Sequence, residues 1–103
     1  MIVRIDIHHD DTEGFSYSVT AEHQTLYDGV GFSAFVNTLA AAVEGLGPEA
    51  RAAEIAFRGI VSGTYPLTII ATRPNEVAQH AVNTANAVLQ GILDDSEEHI
   101  DHL

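Results

Sequence analysis

The sequence has no cysteine and no tryptophan. Without cysteine there are no disulfides, no thiolate nucleophile and no Cys-ligated zinc. Lysine is missing too, so the four cations are Arg4, Arg51, Arg58 and Arg73. That absence removes Schiff-base chemistry and the lysine of a phosphate-binding loop. Positive charge is scarce: four cations face fifteen acids, for a formal charge of −11. DNA, RNA and anionic lipid are all bound through clustered Lys and Arg, so nucleic acid and membrane surfaces are excluded as expected partners. No stretch approaches the ~20 apolar residues of a membrane-spanning helix. The first ten residues contain Arg4 and Asp6 and form no apolar signal-peptide core, so the expected compartment is the cytoplasm.

What remains is ordinary for a globular chain. Of 103 residues, 46% are hydrophobic, enough for a packed core despite the charge. This length accommodates one domain. The Ala-rich, Lys-free composition suits a high-GC source such as an actinobacterium or its phage. Charge falls in blocks. Residues 1–54 carry nine acids against Arg4 and Arg51, net −7; residues 55–93 carry Glu76 against Arg58 and Arg73, net +1; residues 94–103 carry five acids. A domain over 1–93 followed by an acidic tail or helix extension over 94–103 is the expected organisation. The negative field then concentrates on Asp10, Asp11 and Glu13 and on Asp94, Asp95, Glu97 and Glu98.

Val3, Ile5 and Ile7 alternate with polar residues, as do Phe15, Tyr17, Val19 and Ala21, so the two runs predict an antiparallel hairpin with one buried face. Gln24 to Asp28 reads as a short third strand broken by Gly29-Val30-Gly31. Phe32, Phe35, Val36, Leu39, Val43 and Leu46 recur at helical spacing, closed by Gly45, Gly47 and Pro48. In the second half, Ala53 to Val61 predicts a strand, Ser62-Gly63-Thr64 a turn, and Tyr65 to Thr72 another strand. Pro74 suits the first turn of a helix whose core stripe is Val77, Ala81, Ala85, Val88 and Ile92, widened by Ala78, Val82, Leu89 and Leu93. The expected fold is α+β: a four- or five-stranded antiparallel sheet with two amphipathic helices on one face, in hairpin-helix, hairpin-helix order.

Two surface features bear on function. Gln79, Asn83, Asn86 and Gln90 form a carboxamide stripe on the second helix, where a freely solvated face draws on Glu, Lys and Arg. Depletion of charge marks interface cores, so this stripe is read as a contact surface. Ile60 and Ile70 are placed on the outer face of the sheet, which with the stripe points to a homodimer.

Chemical motifs are weak. Gly29-Val30-Gly31-Phe32-Ser33-Ala34 fits a dinucleotide fingerprint, but the strand before it is polar and no parallel unit follows. Gly31-Phe32-Ser33-Ala34-Phe35 lacks the last glycine of a nucleophile elbow. Asp95, Glu98, His99 and His102 share a helix face, and Asp6 and His8 share a strand face beside His9, Asp10 and Asp11, yet neither group has a metal-motif spacing. His80 is a partly covered helix residue rather than a base. No catalytic residue, cofactor or metal is assigned. The leading reading is a small acidic, non-catalytic protein-binding domain of the inhibitor, immunity-protein or phage host-modulator type. Its partner is basic, and one version of the reading is mimicry of DNA. Candidate contacts are Asp10, Asp11, Glu13, Gln79, Asn83, Asn86 and Gln90. The alternatives are a ligand- or metal-binding domain at the His/Asp/Glu clusters and a structural subunit of an assembly.

Overall fold

A computed structural model describes the backbone of residues 1–101 and the side chains of residues 1–93. The chain is an α+β domain whose five strands form one mixed sheet in the order β3-β2-β1-β4-β5. β1 (Ile2–Asp10), β2 (Gly14–Ala21) and β3 (Gln24–Phe32) make an antiparallel meander. The alternation is obeyed: Val3, Ile5, Ile7 and Val19 are buried on one face. The turn between β2 and β3 is only Glu22 and His23, both at positive φ, the conformation a two-residue hairpin of matching twist requires. β3 does not stop at Asp28. It continues through Gly29 and Gly31 to Phe32, and Gly29 admits the Tyr17 ring, which a Cβ there would meet at 2.6 Å.

The first helix, α1 (Phe35–Glu44), buries Phe35, Thr38, Leu39 and Ala42 against the meander. The Thr38 hydroxyl donates to the Ala34 carbonyl, so this buried polar side chain, the only one among the described residues, is satisfied. α1 returns the chain to the end of the sheet where β1 began. β4 (Ala52–Phe57) therefore enters beside β1 in the same direction, with Ile5 opposite Ile55. The sheet is mixed for that reason, which corrects the expected all-antiparallel arrangement. The observed order is also three strands, helix, hairpin, helices, rather than hairpin-helix repeated.

The second hairpin departs further from expectation. Its turn is Arg58-Gly59, both at positive φ, and β5 runs over Ile60–Pro66 straight through the Ser62-Gly63-Thr64 segment expected to turn. A register irregularity between Ile55 and Ala56 absorbs the extra residue there. Phe57 pairs with Ile60, so Ile60 points to the helix side and packs on the core. Thr68-Ile69-Ile70 lies in the short helix α2 (Leu67–Thr72), and Ile70, 2% exposed, belongs to the core. Tertiary burial of Leu67 and Ile70, three residues apart, overrides the β-branched local preference. Neither isoleucine forms an outer apolar patch.

The long helix α3 (Pro74–Asp101) crosses β5 and β4 and touches α1. Val77, Ala78, Ala81 and Ala85 are buried, so the core stripe holds over this stretch. Beyond Ala85 it does not. Val88, Ile92 and Leu93 are 42%, 56% and 57% exposed, although their spacing matches the stripe. Lengths explain this. A 28-residue helix is about 42 Å long, whereas the six residues of β4 span about 20 Å. α3 outruns the sheet it lies on, and the molecule is elongated accordingly, 55 Å against 29 and 27 Å. Among the described residues, no helix is long and apolar enough to cross a membrane.

Candidate functional site

Three elements meet at the end of the sheet where α3 leaves it. The first is the β1–β2 turn. One oxygen of Asp10 accepts hydrogen bonds from the Thr12 amide at 2.8 Å, the Thr12 hydroxyl at 2.6 Å and the Glu13 amide at 3.3 Å. The Thr12 hydroxyl, then the two amides, hold the Asp10 carboxyl below its ordinary value. Asp10 thus builds the turn, while it, Asp11 and Glu13 all face solvent. The second element is the Arg58-Gly59 turn, whose Arg58 amide donates to the Ile7 carbonyl at 3.2 Å and ties this turn to the end of β1. The third is the overrunning half of α3.

Arg58 stands between the other two. On one side it lines a cleft with His9, Asp10, Asp11 and Phe57; on the other it lines a groove with Asn86, Leu89, Gln90, Ile92 and Leu93. Behind the cleft, His9 packs on Phe15 with ring centroids 4.4 Å apart and planes tilted by 41°, and Phe15 meets Phe35 edge-on. Arg58 is exposed and forms no ion pair with a described residue. The structure therefore gathers Asp10 and Asp11 with Asn86 and Gln90 around one arginine, four of the seven contact residues read from the sequence. Glu13 lines neither the cleft nor the groove. Gln79 and Asn83 are exposed one to two turns earlier on α3 and bond to each other, amide to carbonyl at 2.9 Å.

Arg58, Val88, Ile92 and Leu93 are the members that sequence reasoning missed, the last three because their spacing assigns them to the core. Their signal was available in length: an apolar stripe longer than the strands beneath it has nowhere to be buried.

The groups considered for metal lie differently. Asp6 accepts from the Arg4 guanidinium at 3.0–3.1 Å on the open face of the sheet, and Glu54 accepts from the same guanidinium at 3.2 Å. The Asp6 bonds and the two negative charges raise the Arg4 pKa above its already high value against a smaller opposing effect of burial. Asp6 is thereby an ion-pair partner rather than a companion of His8. Among the described residues, no three His, Cys, Asp or Glu side chains are grouped to hold a metal ion. The side chains of Asp95, Glu98 and His99, and all of His102, lie outside the described residues. His80 is exposed and sits edge-on to the Tyr65 ring, 6.4 Å away. The glycines of the dinucleotide-like segment are inside β3, not at a helix N-terminus. Comparison with known protein families, curated proteins and solved structures gives no match for this chain.

Proposed function

We propose that this chain is a non-catalytic acidic domain that binds another protein through the end where α3 leaves the sheet. The observation that carries the reading is the apolar overrun of α3: Val88, Ile92 and Leu93 stand in water although their spacing continues a buried stripe. Full burial of a Val, Leu or Ile side chain is worth about 1.5–3 kcal/mol, so each half-exposed member gains about 1 kcal/mol when a partner covers it. Asn86 and Gln90 flank these residues with neutral hydrogen-bonding groups, as in the charge-depleted centre of an interface. The exposed acids Asp10 and Asp11 border the same end and favour a basic rim on the partner. Catalysis is the weaker reading because His9, Asp10, Asp11 and Arg58 are all exposed to solvent rather than gathered in an enclosed site.

The test is a pull-down from the native host with the wild-type chain and with Ile92→Asn/Leu93→Asn. A stoichiometric protein retained by the first and lost by the second is the expected result. Retention by both refutes this surface, and no stoichiometric protein refutes the reading. For a heterologous partner, stopped-flow kinetics should show slower association after neutralising Asp10, Asp11 and Glu13, and slower association as salt shortens the Debye length from about 10 Å at 0.1 M to 3 Å at 1 M.

A further inference from the structure

The sheet has two edges, and the backbone along one of them is unpaired. β3 hydrogen-bonds to β2 alone among the described strands, and α1 lies on its inner face, where the Tyr27 hydroxyl donates to the Ala42 carbonyl. Its outer row of backbone N–H and C=O groups meets no other described strand. Exposed edges are normally blunted with lysine or proline, and β3 carries neither over nine residues. The opposite edge, β5, is shorter and ends on Pro66.

Side chains narrow the open stretch. β3 holds one extra residue between Thr25 and Tyr27 and another between Gly29 and Phe32, so bulges bracket the run from Leu26 to Val30. Asp28 pairs with Ser18, which pairs in turn with Asp6 on the open face of the sheet. Alternation puts Leu26 and Val30 on that face too, 46% and 72% exposed, while Tyr27 and Gly29 face the helices. Asp28 is exposed between them and forms no ion pair among the described residues.

We propose that this edge takes an extended segment of a partner protein, added as a further strand, with a basic residue opposite Asp28 and apolar residues opposite Leu26 and Val30. The surface is separate from the end of α3 and goes beyond the reading given for it. Strand addition satisfies the open backbone row, and alternate side chains select the sequence. The bulges limit the ladder to about five residues, or about 17 Å. A second copy does not meet the requirement. Antiparallel pairing of two β3 strands that sets Leu26 against Val30 also sets Asp28 against Asp28. Sliding that pair by two residues sets each carboxylate against an apolar side chain. The charge of −11 on each copy adds to the repulsion and attracts a basic segment instead.

The probe is a synthetic peptide with blocked ends, Thr-Val-Thr-Arg-Thr-Val-Thr, whose valines and arginine share one face when extended. Titrated against the full chain, it should move the amide resonances of Leu26 to Val30 in a saturable way. The same peptide with Glu in place of Arg should bind roughly fivefold weaker, because a like charge then faces Asp28. A reordered peptide that puts the valines and arginine on different faces should also bind more weakly. Asp28→Lys should reverse the preference, favouring the Glu peptide. Glu76→Lys makes the same change of net charge on α3 and should leave the original order. Circular dichroism checks that each variant is folded, and if Asp28→Lys is not, the three peptides on the wild-type chain still decide. No shift in β3 up to about 5 mM peptide overturns the proposal. Equal binding of the Arg and Glu peptides, or of the reordered one, overturns the stated chemistry of the partner. Shifts centred on Asp10 and Asp11 mean that arginine is drawn to the acidic turn; they overturn the β3 site and leave the reading of the α3 end to its own pull-down test.

Discussion

Replacing Gly45 by alanine ought to stabilise a helix end on local grounds, and in this molecule it should do the opposite. Gly45 caps α1 with φ −78° and ψ −6°, a conformation open to any residue, so glycine is not there for backbone freedom. Gly→Ala at a compatible position is ordinarily worth about 0.4–1 kcal/mol, chiefly through the unfolded chain. A Cβ at Gly45, however, would lie 2.6–2.8 Å from the Cζ, Cε2 and hydroxyl of Tyr27. The Tyr27 hydroxyl donates to the Ala42 carbonyl, and its ring meets Tyr17 edge-on at 6.0 Å. Displacing the ring forfeits a hydrogen bond of about 0.5–1.5 kcal/mol and an aromatic contact of similar worth. The loss exceeds the gain, and Gly45→Ala should destabilise by about 1 kcal/mol net, or about 4–8 °C in Tm for a domain of this size. Gly91→Ala is the control. Nothing lies within 4 Å of its Cβ position in exposed α3, so it should stabilise the fold by about 0.5–1 kcal/mol. Urea denaturation compares the two. Equal stabilisation by both substitutions would mean that Tyr27 does not hold α1 against β3.

Two further outcomes follow from the fold. Ile70→Ala should cost about 2–4 kcal/mol while Ile69→Ala costs less than about 1 kcal/mol, because only the first is buried in α2; equal values in urea melts would return this segment to an extended strand. The Asp10 carboxyl is held below its unfolded value of about 3.8, so its contribution to the turn is complete above that value and lost as pH falls through the lower folded one. The protection of the Thr12 and Glu13 amides, taken relative to their intrinsic exchange rates, should therefore fall as pH drops below about 3.8, and Asp10→Asn should abolish that dependence. Unchanged acid dependence in the variant would assign it to another group.

How much of this was legible beforehand varies with the range of the interaction involved. Val3, Ile5, Ile7 and Val19 declare their face by alternation, and Phe35, Leu39, Val77, Ala81 and Ala85 declare theirs by helical spacing, because periodicity is a local property that burial on one side imposes. The exposure of Asp10, Asp11, Glu13 and the carboxamide stripe was equally readable, since these residues fall outside the apolar periods. Arg58 carried no such mark. Its place between the cleft and the groove depends on a positive-φ turn four residues earlier than Ser62-Gly63 suggested, and that shift also moved Ile60 from the open face to the core.

Composition and periodicity by themselves thus determined an acidic α+β domain, the core faces of its first hairpin and both main helices, and the solvent-facing acids. Tertiary structure alone decided three things. β4 runs parallel to β1 because α1 carries the chain back to where β1 starts, a matter of direction that no local pattern encodes. Thr68-Ile69-Ile70 is helical because closing the core with Leu67 and Ile70 outweighs a preference worth at most about 1 kcal/mol per residue. Finally, the same apolar stripe of α3 is core at Ala81 and open surface at Ile92, because burial depends on whether a sheet lies beneath the helix, and the sheet ends first.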